Sequence, residues 1–190
     1  CPVSTLVPHS FALFRLDLRA LLPLLCFHSS YVSPLPVDAF ALSNHIIFLN
    51  TGDIAHPRAP ECLYPSPISV FISYFMGEAN ILPCEVEQLE GSDAWVRLGS
   101  QRYRVRGNGV QPGTAQLSVR PQFITLRGEG AGALRGEVTH CTWLGDHIEY
   151  EVATELGSLF IVDAQMEQQL PLNSAVAIDF KPQGLALIAG

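Results

Sequence analysis

The stretch that decides the fold is AWVRLGSQRYRVR, residues 94–106. It contains two short runs, 94–98 and 102–106, which carry β-branched and aromatic side chains and are separated by glycine and serine. Such runs between turn residues indicate strands. Because strand side chains alternate between faces, the second run places its three arginines on one face and Tyr103 and Val105 on the other. Nearby glutamates balance these arginines, which favours a solvated face over a cradle for an anionic ligand.

The same texture extends from residue 78 to the end of the chain, where short apolar runs are bounded by Gly, Pro, Asn or Asp. Spacings of about ten residues predict a small barrel or sandwich. Two halves are expected, near 79–126 and 134–188, although no repeat in the sequence is strong enough to prove a duplication. The predicted strands are 81–88, 94–98, 102–106, 115–120, 123–126, 134–143, 148–153, 159–162, 175–180 and 185–188.

Before residue 78 the sequence pattern is different and predicts short helices in place of short strands. Residues 1–36 are rich in Leu, Pro and Ser without a sustained period, and their structure stays unassigned. We therefore expect a boundary near residue 78, with one domain at 1–77 and another at 78–190. The predicted helices are 38–42, 61–64 and 68–75, and 45–49 is predicted to be a buried strand. Within 1–36, residues 16–25 could form one short helix, but Pro23 would break it in its last turn.

Charge and cysteine content limit the possible functions. Charged residues make up 15% of the 190, which is too few for a disordered tail. The region 78–135 holds seven Arg and six acidic residues, whereas eight acidic residues and one Lys follow residue 135. An acidic end repels a phosphate backbone, so no nucleic-acid partner is expected. Five widely spaced cysteines without a C-x-x-C pair indicate buried thiols in a reducing compartment.

No signal peptide or membrane span is predicted. The first apolar run contains charged residues inside it rather than before it. The longest uncharged run, 20–37, approaches the length of about 20 residues that spans a bilayer, but prolines interrupt it. We expect that run to be buried or irregular.

Motifs for catalysis and cofactor binding are missing from this sequence. A phosphate-binding Walker loop needs Gly-Lys followed by Ser or Thr, and the single lysine, Lys181, lies between Phe and Pro. The glycine-rich residues 128–133 precede a predicted strand rather than the helix that a dinucleotide site requires, so they are interpreted as a turn. We predict no catalytic, cofactor-binding or metal-binding residue. The metal-ligand spacing of a zinc site is also lacking among His140, Cys141, Asp146 and His147.

Three linked segments resemble the end of the nucleotide-binding domain in ATPase subunits of ABC importers. Residues 38–54, DAFALSNHIIFLNTGDI, resemble a helix of the type E-A-L-A-L-S-D-R-I followed by a strand and an N-x-G-x-I turn. Residues 60–67, PECLYPSP, resemble P-x-E-[IL]-Y-x-x-P, and 71–83, FISYFMGEANILP, resemble F-V-x-x-F-[IL]-G-x-x-N. In order and spacing the likeness covers about 37–190.

Two further segments resemble the accessory domain called TOBE, a transport-associated OB-like barrel. VRPQ at 119–122 resembles its V-R-P-E signature, and WLGDHIEY at 143–150 resembles its Y-L-G-x-x-x-x-Y. The resemblance implies a role in the family motif or in an interface for these residues. They are Arg120, Pro121, Trp143, Leu144, Gly145 and Tyr150.

The sequence also departs from the family pattern. Residues 31–33 resemble a strand that the family follows with His-Asp, its His being the switch residue near the γ-phosphate of ATP, but Pro34 and Leu35 stand here. Gln122 replaces the usual Glu of the signature. The Walker motifs and the signature loop, which lie upstream in the family, are absent.

The resemblance implies a mainly β fold, an OB-like TOBE barrel preceded by a short α/β remnant of the ATPase domain. It implies the regulatory and dimerisation portion of the ATP-binding subunit of a solute importer, as a fragment or a degenerate gene product that does not hydrolyse ATP alone. ATP and magnesium would act only in the full-length family. Expected partners are a second ATPase subunit and the membrane permease subunits, at the cytoplasmic side of the inner membrane. Nothing in the sequence identifies the solute that the importer would transport.

The residues alone are also consistent with two other hypotheses for the function of this protein. The first is a stand-alone OB-like protein that binds a small anion with its basic strand face and glycine-rich loops. The second is a secreted structural domain that begins at a lipidated Cys1.

Overall fold

The computed structural model describes residues 7–25, 29–54, 57–63, 67, 69–128, 130, 132–166 and 169–188. The chain forms two compact units, Cys1–Leu63 and Tyr64–Gly190. The change of texture that suggested a boundary near residue 78 therefore falls inside the second unit. None of the described helices has the length and apolarity needed to cross a membrane.

The first unit consists of helices and a small hairpin. An ion pair between Arg15 Nη2 and Asp38 Oδ1, 2.6 Å apart, joins its two longer helices. The strand predicted at 45–49 is confirmed only in part. Leu49 pairs with Ile54, and Ile46 makes an isolated bridge with Arg58, whereas 45, 47 and 48 lie outside the strands of the described residues. Its elements are α1 Val7–Leu21, a 3-10 turn Leu22–Leu25, α2 Pro36–Leu42, β1 Leu49–Asn50, β2 Asp53–Ile54 and α3 Pro60–Leu63.

In the described residues of the second unit, a short helix is followed by ten strands, one for each predicted strand. Helix α4, Val70–Phe75, is capped by Ser69, whose hydroxyl accepts a hydrogen bond from Ile72 N at 3.2 Å. The prediction of a mainly β fold is confirmed. The strands are β3 Asn80–Glu90, β4 Asp93–Leu98, β5 Gln101–Arg106, β6 Gly113–Val119, β7 Ile124–Arg127, β8 Leu134–Trp143, β9 Ile148–Thr154, β10 Gly157–Asp163, β11 Ala175–Phe180 and β12 Leu185–Ile188.

The ten strands form two antiparallel sheets that repeat one plan. The first sheet has the order β12-β6-β3-β4-β5 and the second β10-β9-β8-β11-β7. The segment β3 to β7 corresponds to β8 to β12, with a register shift in β3 after Val86 and in β8 after Val138. The last strand of each half crosses into the other sheet, where β7 pairs with β11 and β12 pairs with β6.

Each sheet curls so that its edge strands approach each other, as expected for a small OB-like barrel. Strand β5 contacts β12, and β10 contacts β7. Asn108 Nδ2, just after β5, donates a hydrogen bond to Leu187 O of β12 at 2.9 Å and so stabilises the contact between these two edge strands. A single buried cluster draws on both sheets. Its members include Leu82, Val96, Leu117, Leu187, Val138, Tyr150, Ile161 and Ile178.

Two 3-10 turns, Pro121–Phe123 and Pro182–Gly184, carry the chain across between the sheets. They bond to each other reciprocally, because Arg120 N donates to Gly184 O at 3.0 Å and Lys181 N donates to Phe123 O at 2.9 Å. The approach is so close that a Cβ at Gly184 would overlap the Phe123 side chain.

Replacing that glycine should destabilise the second unit. Gly184→Ala forces the turn away from Phe123, and overpacking of this kind costs about 1–3 kcal/mol of unfolding free energy. Gly128→Ala is the matched control, since nothing lies within 4 Å of a Cβ there. Urea denaturation measures both, and equal midpoints for the two variants would contradict the close packing of the turns.

Candidate functional site

Arg120 of the VRPQ motif is buried, with only 4% of its surface exposed. Its Nη1 donates to Ser73 O at 3.0 Å and to Gly77 O and Glu78 O at 3.3 Å each. A guanidinium that binds carbonyls at the end of a helix satisfies groups that the helix leaves unpaired and opposes the negative end of its dipole. Arg120 therefore fastens the end of α4 to the strands.

A buried hydroxyl pair strengthens the same attachment. Ser73 Oγ and Ser118 Oγ lie 2.6 Å apart, joining α4 to β6. This contact explains why α4 belongs to the unit of the strands. Pro121, also buried, begins the 3-10 turn that follows Arg120. The structure thus gives Arg120 and Pro121 an architectural role, and they are not exposed as interface residues would be.

The second predicted motif forms the end of the β8–β9 hairpin. Trp143 and Leu144 are 64% and 51% exposed. Gly145 has a φ of +99°, which favours glycine, and Leu144 N donates to His147 O at 3.0 Å to close the turn. Trp143, Leu144 and Gly145 therefore lie on the surface, in a different half of the unit from Arg120.

Tyr150, the last residue of this motif, is buried with 1% exposure. Its hydroxyl accepts a hydrogen bond from Leu170 N at 3.1 Å, which holds the segment before β11 against β9. Burial raises the pKa of Tyr150 above its ordinary value. Tyr150 supports the hairpin from inside and does not share its exposed surface.

His147 lies in the hairpin turn between two carboxylates. Its Nδ1 is 2.7 Å from Asp146 Oδ1, and its Nε2 is 3.5 Å from Glu149 Oε1. The hydrogen bond with Asp146, followed by that with Glu149, raises the pKa of His147. The His147 ring thus bridges both carboxylates and holds the turn.

The arginine face of β4 and β5 is compensated by carboxylates, as the sequence predicted. Arg102 Nε lies 2.6 Å from Glu87 Oε2, and Arg104 Nε lies 2.9 Å from Asp93 Oδ2. The Arg102 guanidinium also sits 5.8 Å from the centroid of the Trp95 ring, within the range of a cation–π contact. These side chains form a solvated ion-pair network.

The possible metal ligands of the second half are paired in other ways. His140 Nδ1 lies 3.1 Å from Glu151 Oε2, and Cys141 Sγ accepts from Gln169 Nε2 at 3.4 Å. Within the part of the chain that the structure describes, no group of three or more His, Cys, Asp or Glu side chains is placed to hold a metal ion.

One pattern in the sequence marks the equivalence of the two halves. Residues 119–123, VRPQF, and 180–184, FKPQG, each place a basic residue, Pro and Gln between two strands. The reciprocal turns show that these segments are equivalent. Aligning the chain on this basic-Pro-Gln pattern would have revealed the repeat.

Comparison with known proteins identifies the class of domain first. Residues 117–188 match the TOBE domain family. The chain therefore carries a TOBE domain, which confirms the resemblance seen in the VRPQ and WLG motifs.

The relatives of the chain are ATP-binding subunits of ABC importers. It is 45% identical over 187 residues to the Fe(3+) ions import ATP-binding protein FbpC of Brucella abortus (strain 2308), covering 98% of this chain and 53% of the relative. It is 43% identical to FbpC 1 of Rhizobium meliloti (strain 1021), covering 100% and 54%. The sulfate/thiosulfate import ATP-binding protein CysA of Bradyrhizobium diazoefficiens is 29% identical over 153 residues, covering 80% and 42%. The chain spans about half the length of the curated relatives FbpC.

A solved structure, the cytoplasmic molybdate-binding protein ModG with molybdate bound, aligns with a TM-score of 0.44 and 18% identity. It covers 58% of this chain and 96% of that chain. The fold assignment rests on the strand topology described above and not on this weak likeness.

Removing the buried guanidinium should loosen α4 from the strands. Arg120→Ala leaves three carbonyls without their donor, and we expect a loss of about 2–4 kcal/mol of unfolding free energy. The control is Arg127→Ala, whose 67% exposed side chain makes a 3.7 Å ion pair with Asp179 and should cost less than about 0.5 kcal/mol. Urea denaturation separates the two, and equal losses would refute an anchoring role for Arg120.

Asp146→Asn should lower the pKa of His147 towards about 6.5, because it removes the largest cause of the shift. A histidine whose pKa is higher in the folded than in the unfolded state stabilises the protein at every pH below its unfolded-state pKa. That stabilisation is lost as the pH rises through its folded-state pKa. At acidic pH the native chain should therefore have a larger free energy of unfolding than the Asp146→Asn variant, and this difference should disappear at alkaline pH. An NMR titration of the ring checks the shift, and an unchanged His147 midpoint in the variant would be the contrary result.

Proposed function

We propose that this chain is the regulatory and self-associating portion of the ATP-binding subunit of an ABC-type importer. The observation that carries the proposal is the TOBE domain at 117–188, within a chain that is 45% identical to an importer ATP-binding protein over 98% of its length. Its partners would be a second such subunit and the permease subunits, at the cytoplasmic side of the inner membrane.

The cargo we propose is Fe(3+). The name of FbpC states that it imports Fe(3+) ions, and identity to it reaches 45%. Identity to CysA, whose name states sulfate and thiosulfate, is 29%. The difference in identity supports the iron importer.

ATP hydrolysis would belong to residues outside this sequence. The sequence has no Gly-Lys-Ser/Thr loop, and its single lysine, Lys181, is exposed next to the turn that leads into β12. Pro34 stands where the family places its switch histidine, and proline has no side-chain donor or base. The chain by itself is proposed not to hydrolyse ATP.

Exposed aromatic side chains support the proposed association. Tyr74 of α4 is 55% exposed and Trp143 is 64% exposed. Large apolar groups left in water tend to mark surfaces that contact another protein. The alternative of a stand-alone anion-binding protein has less support, because the chain is 45% identical to an importer ATP-binding protein over 98% of its length.

One preparation of the chain tests both parts of this proposal. We expect a dimer mass by light scattering in a concentration series up to about 100 μM, the range of weak association. In the same samples we expect no release of phosphate from magnesium ATP above a heat-denatured control. A constant monomer mass would contradict self-association, and enzyme-dependent hydrolysis would contradict the assignment of catalysis to other residues. Thermal stabilisation by one member of a panel of small anions would favour the binding protein instead.

A further inference from the structure

The internal duplication supplies a comparison for the β8–β9 hairpin. Beyond the register shift in each half, the pair Glu90↔Asp93 of the first half corresponds to Thr142↔Glu149 of the second. Two residues connect the first pair, whereas six residues, 143–148, connect the second. The second hairpin thus carries an extension, residues 143–148, which the first lacks.

This extension is held firmly but leaves apolar side chains in water. Ile148 at its base is 2% exposed, and the turn is closed by its own backbone bond and by the His147 contacts. Trp143 and Leu144 contribute little to the core, since more than half of each is exposed. Tryptophan held on a rigid support is characteristic of residues that dominate binding energy in protein interfaces.

The two halves carry net charges of opposite sign. Five Arg oppose four acidic residues in 79–126, whereas Arg135 and Lys181 oppose eight acidic residues in 134–188. On the extension, the side chain of Asp146 is 86% exposed. On the arginine face, Arg102 and Arg104 are 58% and 54% exposed, so each can receive a second carboxylate while keeping its own.

We propose that the extension of one copy docks on the arginine face of a second copy, where Trp95, Arg102 and Arg104 lie. This rests on the self-association proposed above and names the surfaces that make it. Trp143 and Leu144 supply the apolar contact, and Asp146 pairs with Arg102 of the partner subunit. Electrostatic complementarity of this kind fixes orientation and partner choice.

The contact must be reciprocal to support a dimer. A single extension covers far less than the roughly 800 Å² per partner of a standard interface. In a twofold dimer the same contact forms twice, because residue i of one copy meets residue j of the other and the reverse. The opposite charge balance of the halves fits this arrangement, since each acidic half then faces the less acidic half of the other copy.

Charge reversal tests the pairing with the full chain. Asp146→Arg alone and Arg102→Glu alone should each raise the dimer dissociation constant about tenfold or more. The double variant, which carries both reversals, should restore dissociation to within about threefold of the native chain, because the opposite charges meet again. Glu155→Arg, an equal change of charge in the exposed β9–β10 turn, should change it less than either single reversal. Circular dichroism confirms that each variant is folded.

Truncation tests the apolar part of the contact. Leu144→Ala should weaken the dimer, whereas Leu172→Ala should not, although Leu144 and Leu172 are 51% and 56% exposed. A native dimer that all these single variants leave unchanged, or a folded double variant without recovery, would overturn the docking of the extension while the proposed self-association stands. A native chain that is monomeric throughout overturns both.

Discussion

The architecture of the strand-rich unit depends on one reciprocal contact between two turns. Arg120 N donates to Gly184 O, and Lys181 N donates to Phe123 O. These bonds fix the points at which the chain leaves one sheet and enters the other, so that β7 completes the second sheet and β12 completes the first. Neither sheet has its five strands without the other half, which makes the two halves one cooperative unit.

The same crossing point determines how the motif residues are used. Arg120 stands directly before the first turn, and from there its side chain reaches the carbonyls at the end of α4. Burying a charged side chain is costly unless its hydrogen bonds are satisfied, and the helix end supplies the acceptors. A residue that resembles a family signature therefore stabilises the connection between α4 and the strands.

The two halves share a plan but differ in what they expose. The first half surrounds its arginines with carboxylates, and Trp95 Nε1 donates to Glu90 Oε2 at 3.1 Å. The second half lengthens its hairpin and places Trp143 at the end of β8, in water. The two halves thus share the strand pairing, which the core requires, and differ in their outer residues, which carry little of the folding energy.

The sequence by itself determined the kind and order of the elements, because alternation along a strand and turn residues between strands are local properties. It predicted all ten strands of the second unit, and the motif resemblance predicted the TOBE domain. It was right only in part at 45–49, where an apolar run suggested one continuous buried strand but the described residues pair only at Ile46 and Leu49. Only the tertiary structure decided the exchange of β7 and β12, the burial of Arg120 and the exposure of Trp143, because each depends on contacts between residues far apart in the chain.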